Sequence, residues 1–296
     1  MKEKTIFALG FFDGVHLGHQ ALLKQCVRLA EETGAIPAAV TFSAHPQALT
    51  RGESPLLINT AADRERLLRG YGMEKIIVLP FDEALRQMPW QNFFRLLTEE
   101  YGGAGLVCGS DFRFGYQGQG NAQLLQQACD EVSIPCVVVP QQEIEGIRVS
   151  STYIRQLLEL GQMERAVAFL GHPHTLSGIV QPGRQLGRTI GIPTANLVIP
   201  QGVVTPKFGV YACKAKLPKG EEYLAVTNIG CRPTVDGRGV TVEAWLLDFD
   251  GDLYGRELTL EFHAFLRGEE KFPNLQALSE EIQKNGVQTG QFFGKK

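Results

Sequence analysis

Short apolar runs alternate with helix-like segments through the first half of the chain. Thr5–Leu9, Pro37–Phe42, Lys75–Leu79, Ala104–Cys108 and Pro135–Val139 read as strands. Segments near Gln20–Glu31, Ala62–Gly70, Pro89–Glu100 and Ala122–Glu131 carry helical spacing, and in the first of them Leu22, Cys26, Leu29 and Ala30 share one face. Strand and helix in repetition predict a parallel sheet with helices on both sides, which binds ligands beyond the carboxyl ends of its strands. The period changes to two after about Thr175. Val210, Ala212, Lys214 and Lys216 alternate with Tyr211, Cys213, Ala215 and Leu217, and Leu258, Leu260, Phe262 and Ala264 alternate with Thr259, Glu261 and His263. This half reads as an antiparallel barrel or sandwich with a tight hairpin turn at Asp250-Gly251, closed by a helix over Leu275–Lys284. A helical pair, Thr152–Leu160 and Met163–Leu170, precedes the expected boundary at Gly171-His172-Pro173, giving domains 1–172 and 173–296.

Composition narrows the class. With 296 residues, 44% apolar and 21% charged, the chain suits two globular domains. A net charge of -3 offers no basic footprint for nucleic acid, so anionic ligands must be met by local groups. No run approaches the roughly 18 apolar residues of a membrane span. The early strand lacks a signal-peptide pattern, and the six cysteines form no CxxC pair. A cytoplasmic protein with free thiols and no membrane association is expected.

The densest local signal is Gly10-Phe11-Phe12-Asp13-Gly14-Val15-His16-Leu17-Gly18-His19, where a strand ends and a helix begins. Helix N-termini offer unpaired N–H groups to anions. His16 and His19, three apart, share one side of the first turn and suit hydrogen bonding to phosphate oxygens. A helix-capping pair, or a zinc site completed by His45, are the other readings of two such histidines. Arg148-Val149-Ser150-Ser151-Thr152-Tyr153-Ile154-Arg155 opens another helix with hydroxyls and guanidiniums, either an ordinary cap or a polyphosphate site. Together these segments resemble the HxGH nucleotidyltransferases and their ISSTxxR segment, with Val149 in place of the usual Ile.

The second half carries a glycine-rich stretch from Gly178 to Leu197 that includes Gly183, Gly187, Arg188 and Pro193-Thr194-Ala195-Asn196. Its glycines allow close backbone approach to phosphates, yet it lacks the Gly-Lys-Ser/Thr of a Walker A loop. Thr194 and Asn196 offer hard oxygens on one side of an extended segment, suited to Mg2+. Glu243 interrupts an apolar strand, Thr241–Phe249, which is costly unless it faces a cleft. This half resembles riboflavin kinase, whose motif ends in PTAN, with Ile192 standing where Phe is usual.

Thr41–Pro46 and Gly109-Ser110-Asp111-Phe112-Arg113-Phe114-Gly115 resemble the adenylyltransferase half of bacterial bifunctional riboflavin kinase/FAD synthetases. The resemblance spans nearly the whole chain. It implies a Rossmann-like HxGH nucleotidyltransferase domain with a parallel sheet (α/β), followed by an all-β antiparallel riboflavin-kinase barrel with a terminal helix. It further implies an enzyme that uses ATP to convert riboflavin to FMN and FMN to FAD. His16, His19 and Glu243 would be catalytic. Gly10, Phe11, Asp111, Arg148, Ser151, Thr152, Arg155, Gly183, Gly187, Arg188 and Arg267 would border nucleotide or flavin, and Thr194 and Asn196 would hold Mg2+. For Arg267 a solvated charge cluster serves nearly as well. An HxGH enzyme of another coenzyme would explain only the first half, and a non-catalytic flavin-binding protein is the binding-module alternative.

Overall fold

The computed structural model describes residues 3–45, 47, 54–183, 187, 190–234 and 237–295. Its packing divides the chain into two compact units, Met1–Ser151 and Thr152–Lys296.

The first unit is built on five parallel strands: β1 (Thr5–Leu9), β2 (Ile36–Phe42), β3 (Lys75–Leu79), β4 (Gly103–Gly109) and β5 (Cys136–Val139), in the order β3-β2-β1-β4-β5. Each strand observed matches an expected one within a residue or so, because strands covered on both faces read as continuous apolar runs. Alternate residues of β1 serve the two cores. Phe7 and Leu9 pack with Phe93, Leu97 and the helix α3 (Ala122–Glu131), whereas Ile6 and Ala8 pack under α1 (Leu17–Thr33). Thr60 caps α2 (Ala61–Gly70) by accepting from the Asp63 N–H. The chain leaves β1 to one side and β4 to the other, so the sheet's topological switch point lies between these two neighbours.

The second unit begins with α4 (Ser151–Leu160, whose first residue belongs to the first unit) and α5 (Met163–Leu170). These helices pack with the sheet that follows: the Lys207 N–H donates to Leu158 O at 2.9 Å, and α5 lies against β6 (His174–Ile179) and β11 (Glu257–Arg267). The remaining strands are β7 (Ala195–Leu197), β8 (Gly209–Lys216), β9 (Glu222–Thr234) and β10 (Gly237–Leu246). All pair antiparallel in the order β6-β11-β8-β9-β10-β7. Beyond β6, the Gln181 N–H donates to Asn196 O at 2.9 Å, bringing the two sheet edges together into a barrel. The closing helix, α6, spans Leu275–Phe292, longer than the expected stretch.

Asp250-Gly251 does not make the expected hairpin. The strands on either side, β10 and β11, are not neighbours; β11 pairs instead with β6 and β8. The connection is a broad loop in which Asp248 adopts φ 59° and the Asp252 carboxylate accepts from the Tyr254 N–H at 2.9 Å. A dipeptide that favours a tight turn cannot choose which strand pairs with which.

Candidate functional site

At the carboxyl end of β1 the Gly10 N–H donates to Val40 O, and the chain then makes a strained turn. Phe12 and Val15 adopt positive φ of 60° and 41°, with Gly14 at 78° between them. For a β-branched residue this is a conformation that persists only where surrounding structure enforces it. The enforcement is visible: buried Asp13 accepts the Ile58 N–H at 2.8 Å, and Ser151 Oγ donates to Asp13 O at 2.9 Å. Ser151 is thereby tied to the loop that leads into α1.

His16 is the N-cap of α1, its Nδ1 accepting from the His19 N–H at 3.4 Å. The two imidazoles stack with centroids 3.7 Å apart and planes 15° from parallel, and His19 also meets the edge of Phe12 at 5.3 Å. Burial, reinforced by His16 and then by Arg64, pushes the His19 pKa well below its ordinary value. His19 is therefore a neutral imidazole at pH 7, able to donate a hydrogen bond but carrying no charge. Among the described residues no cluster of His, Cys, Asp and Glu is arranged to hold a metal, which leaves the zinc reading unsupported.

Asp111 follows β4, across the switch point, and pairs with Arg148 on the short hairpin that precedes α4. Both are half exposed, so the pair is open to exchange with a ligand. Thr152 and Arg155 lie in the first turns of α4, where Arg155 Nη2 donates to Thr152 Oγ1 at 3.3 Å. The structure thus brings Gly10, Phe11, His16 and His19 to one strand end and Asp111 and Arg148 to the neighbouring one.

In the second unit a cavity of about 540 Å3 opens beside β9 and β10. Along β10, Val242, Ala244 and Leu246 are buried in the core, so the alternate residues Glu243 and Trp245 line the cavity. Strand register sets Asn196 of β7 and Asn228 of β9 directly opposite Glu243 on either side. The costly position of Glu243 is thus explained by a polar row across three strands. Asn228 opens a segment, Asn228–Thr234, that resembles riboflavin kinase, but its place beside Glu243 comes only from that register.

Thr194 also lines the cavity, and Asn196 Nδ2 donates to Thr194 O at 3.3 Å. Gly183 presses on Asn196 and Gly187 on the Ile192 backbone that leads to Thr194. A Cβ on Gly183 would fall 2.4 to 2.7 Å from the Asn196 amide, and one on Gly187 would fall 2.1 Å from Ile192 O. Arg188, like Pro46 and residues 184–186 and 189, lies outside the described residues. Arg267 lines the cavity, but its donors are engaged: Nε and Nη2 reach Asn285 Oδ1 at 3.2 and 3.1 Å, and Nη1 reaches Gly268 O at 2.9 Å. It is a strut between the end of β11 and fully buried Asn285 of α6, neither a solvated charge nor a free guanidinium.

The residues that sequence reasoning passed over are Asn285 here and, in the first unit, Arg64. Arg64 stands in a helix with two other arginines, and only burial sets it apart.

Comparison with known proteins joins these observations. A family model described as FAD synthetase matches residues 1–153, and one described as riboflavin kinase matches residues 170–293. A bifunctional riboflavin kinase/FMN adenylyltransferase of Bacillus subtilis is 34% identical over 99% of this chain and 93% of its own length. The protein of the same description from Escherichia coli K12 is 35% identical over 99% of this chain and 94% of its own. A crystal structure of a protein named as a macrolide-efflux protein from Streptococcus pneumoniae superposes with a TM-score of 0.88 at 30% identity, covering 98% of this chain and 94% of that one. Among the described residues, no helix of the present chain is long and apolar enough to cross a membrane. With one family on each half and full-length relatives uniting both, the chain belongs to the bifunctional riboflavin kinase/FMN adenylyltransferase family, which uses ATP to make FMN from riboflavin and FAD from FMN.

Proposed function

We propose that the two reactions use two separate sets of residues, adenylyl transfer within residues 1–172 and phosphorylation within 173–296. The observation that carries the division is the row Asn196–Glu243–Asn228, whose Glu243 and Asn228 line a cavity, in a unit distinct from the stacked histidines.

In the kinase step the terminal ribityl hydroxyl of riboflavin attacks the γ-phosphorus of ATP, the bond to the bridging β,γ oxygen breaks, and ADP leaves. An alcohol needs to lose its proton as it attacks, and the Glu243 carboxylate accepts it. The residues suited to Mg2+ are Thr194 and Asn196, whose hydroxyl and amide oxygens are hard, neutral donors beside a glycine cradle that a methyl group would fill. Bound there, the ion would neutralise phosphate charge. Gly183 and Gly187, with Arg188, allow the phosphates a close approach. Arg267, anchored by Asn285, shapes the flavin side of the cavity.

In the adenylyl step a phosphate oxygen of FMN attacks the α-phosphorus of ATP and pyrophosphate leaves. The nucleophile is already anionic, so no general base is required. His16 and His19 donate hydrogen bonds as charge develops on the α-phosphate, with the Gly10-Phe11 backbone beside them. Asp111 lies on the flavin and nucleotide side. Arg148, Ser151, Thr152 and Arg155 hold the β,γ-phosphates. The protein acts in the cytoplasm, a reading supported by its six cysteines, all of them free.

The test is a time course of purified protein with riboflavin, ATP and Mg2+, products being separated chromatographically. FMN rising first and FAD following is the expected outcome. FMN without FAD would remove the histidine site from the proposal, and no product in the absence of added metal, restored by Mg2+, supports the metal assignment.

A further inference from the structure

Besides Arg148 and Arg155, which the proposed adenylyl site already uses, a further cation stands beside the stacked histidines. Two polyanions must meet there, yet His19 is neutral. That cation is Arg64 on α2, whose charge bears on His19 and whose guanidinium lies on Phe11. Its helical neighbours Arg66 and Arg69 are exposed and paired with Asp63 and Glu65, as surface arginines ordinarily are. Arg64 is only 5% exposed. Its guanidinium carbon sits 4.4 Å from the centre of the Phe11 ring, and Nη2 donates to Phe42 O at 3.3 Å. Nη1 is buried with no hydrogen-bond partner among the described residues. Burial lowers its pKa, while the charge of buried Asp13 opposes that shift.

A buried guanidinium with one end unsatisfied is expensive, and a neutral residue at this helical position would pack more cheaply. We propose that Arg64 is a positioning residue of the adenylyl-transfer site, its guanidinium on Phe11 bracing the Phe11–His19 loop and keeping a permanent positive charge behind the paired imidazoles. The inference rests on the assignment of that site to adenylyl transfer. In the low dielectric around Phe11 and His19 the charge acts on incoming phosphates without direct contact. Cation–π contact with Phe11 holds it in place.

The competing role is that of a plain counter-ion to Asp13, and a double substitution separates the two. Arg64→Gln is expected to lower kcat/KM for ATP in FMN adenylylation at least tenfold, with KM for ATP raised. Riboflavin phosphorylation by the same preparation should be unchanged. Arg64→Lys, which keeps the charge, should recover most of the loss. Asp13→Asn with Arg64→Gln removes both charges while leaving an amide oxygen for the Ile58 N–H, and should keep a thermal stability close to the parent's without restoring FAD synthesis. Restoration of FAD synthesis by the double variant would reduce Arg64 to a counter-ion and overturn the inference, as would Arg64→Gln activity within twofold of the parent. His16→Ala with His19→Ala is the control: if that variant still makes FAD, it is the site assignment that has failed, whereas its loss alongside an active Arg64→Gln refutes only the role of Arg64.

Discussion

Gly183→Ala isolates the metal ligand proposed for the kinase site. The added carbon would lie 2.4 Å from Asn196 Nδ2, 2.6 Å from Cγ and 2.7 Å from Oδ1, where ordinary contact begins near 3.4 Å. The amide must therefore retreat by about 1 Å. What retreats is the end of one side chain, so the stability loss is confined mainly to its hydrogen bond with Thr194 O, about 0.5–1.5 kcal/mol. The effect on chemistry is larger, since a misplacement of about 1 Å costs up to about 100-fold in rate. Riboflavin phosphorylation should fall about 10- to 100-fold, with the Mg2+ dependence moved to higher concentration, while FMN adenylylation by the same sample stays at the parental rate. Gly187→Ala provides the contrast. Its methyl would meet backbone, Ile192 O at 2.1 Å, so the chain itself must move and stability should fall with activity. The assay is FMN formation across a Mg2+ titration, with urea denaturation for stability. A Gly183→Ala protein phosphorylating riboflavin within twofold of the parent, at unchanged Mg2+ dependence, would refute the placement of Asn196 at the metal.

Three further outcomes are expected. Glu243→Gln preserves size and hydrogen bonding but cannot take the hydroxyl proton, so FMN formation should drop about 100- to 10,000-fold with FMN-to-FAD conversion intact; equal loss of both would argue for a packing role. The His16→Ala/His19→Ala protein should accumulate FMN, and undiminished FAD output would refute the hydrogen-bonding role of the histidines. His174, buried against Phe262, has its pKa lowered to about 4 by burial and, less, by His172. The unfolded chain then takes up this proton first as pH falls below about 6.5, so the folded state loses stability between about 6.5 and 4, at up to about 1.4 kcal/mol per pH unit. Urea midpoints at pH 7, 6 and 5 should show that decline, and His174→Phe should flatten it; an equally steep variant would rule out His174 as the source.

Much of this protein was determined by the sequence alone, because local periodicity is a local property. The strands Thr5–Leu9 and Lys75–Leu79 appear with the expected bounds, and the helix over Ala122–Glu131 does as well. The motifs too were legible, since glycine, histidine, PTAN and a carboxylate in an apolar strand stand out from their neighbours. Pairing was not. Only the sheet order sets β1 beside β4 and so places His16 and Asp111 at adjoining strand ends. Only the register sets Asn196 and Asn228 beside Glu243, and only strand choice decides that Asp250-Gly251 closes no hairpin. Arg64 carries the lesson furthest: in sequence it is one of three arginines in a polar helix, and it acquires a distinct chemistry because tertiary packing buries that one guanidinium against Phe11. Burial and long-range pairing are settled by the whole core at once, through contacts between residues far apart in the chain, and no local window of sequence contains them.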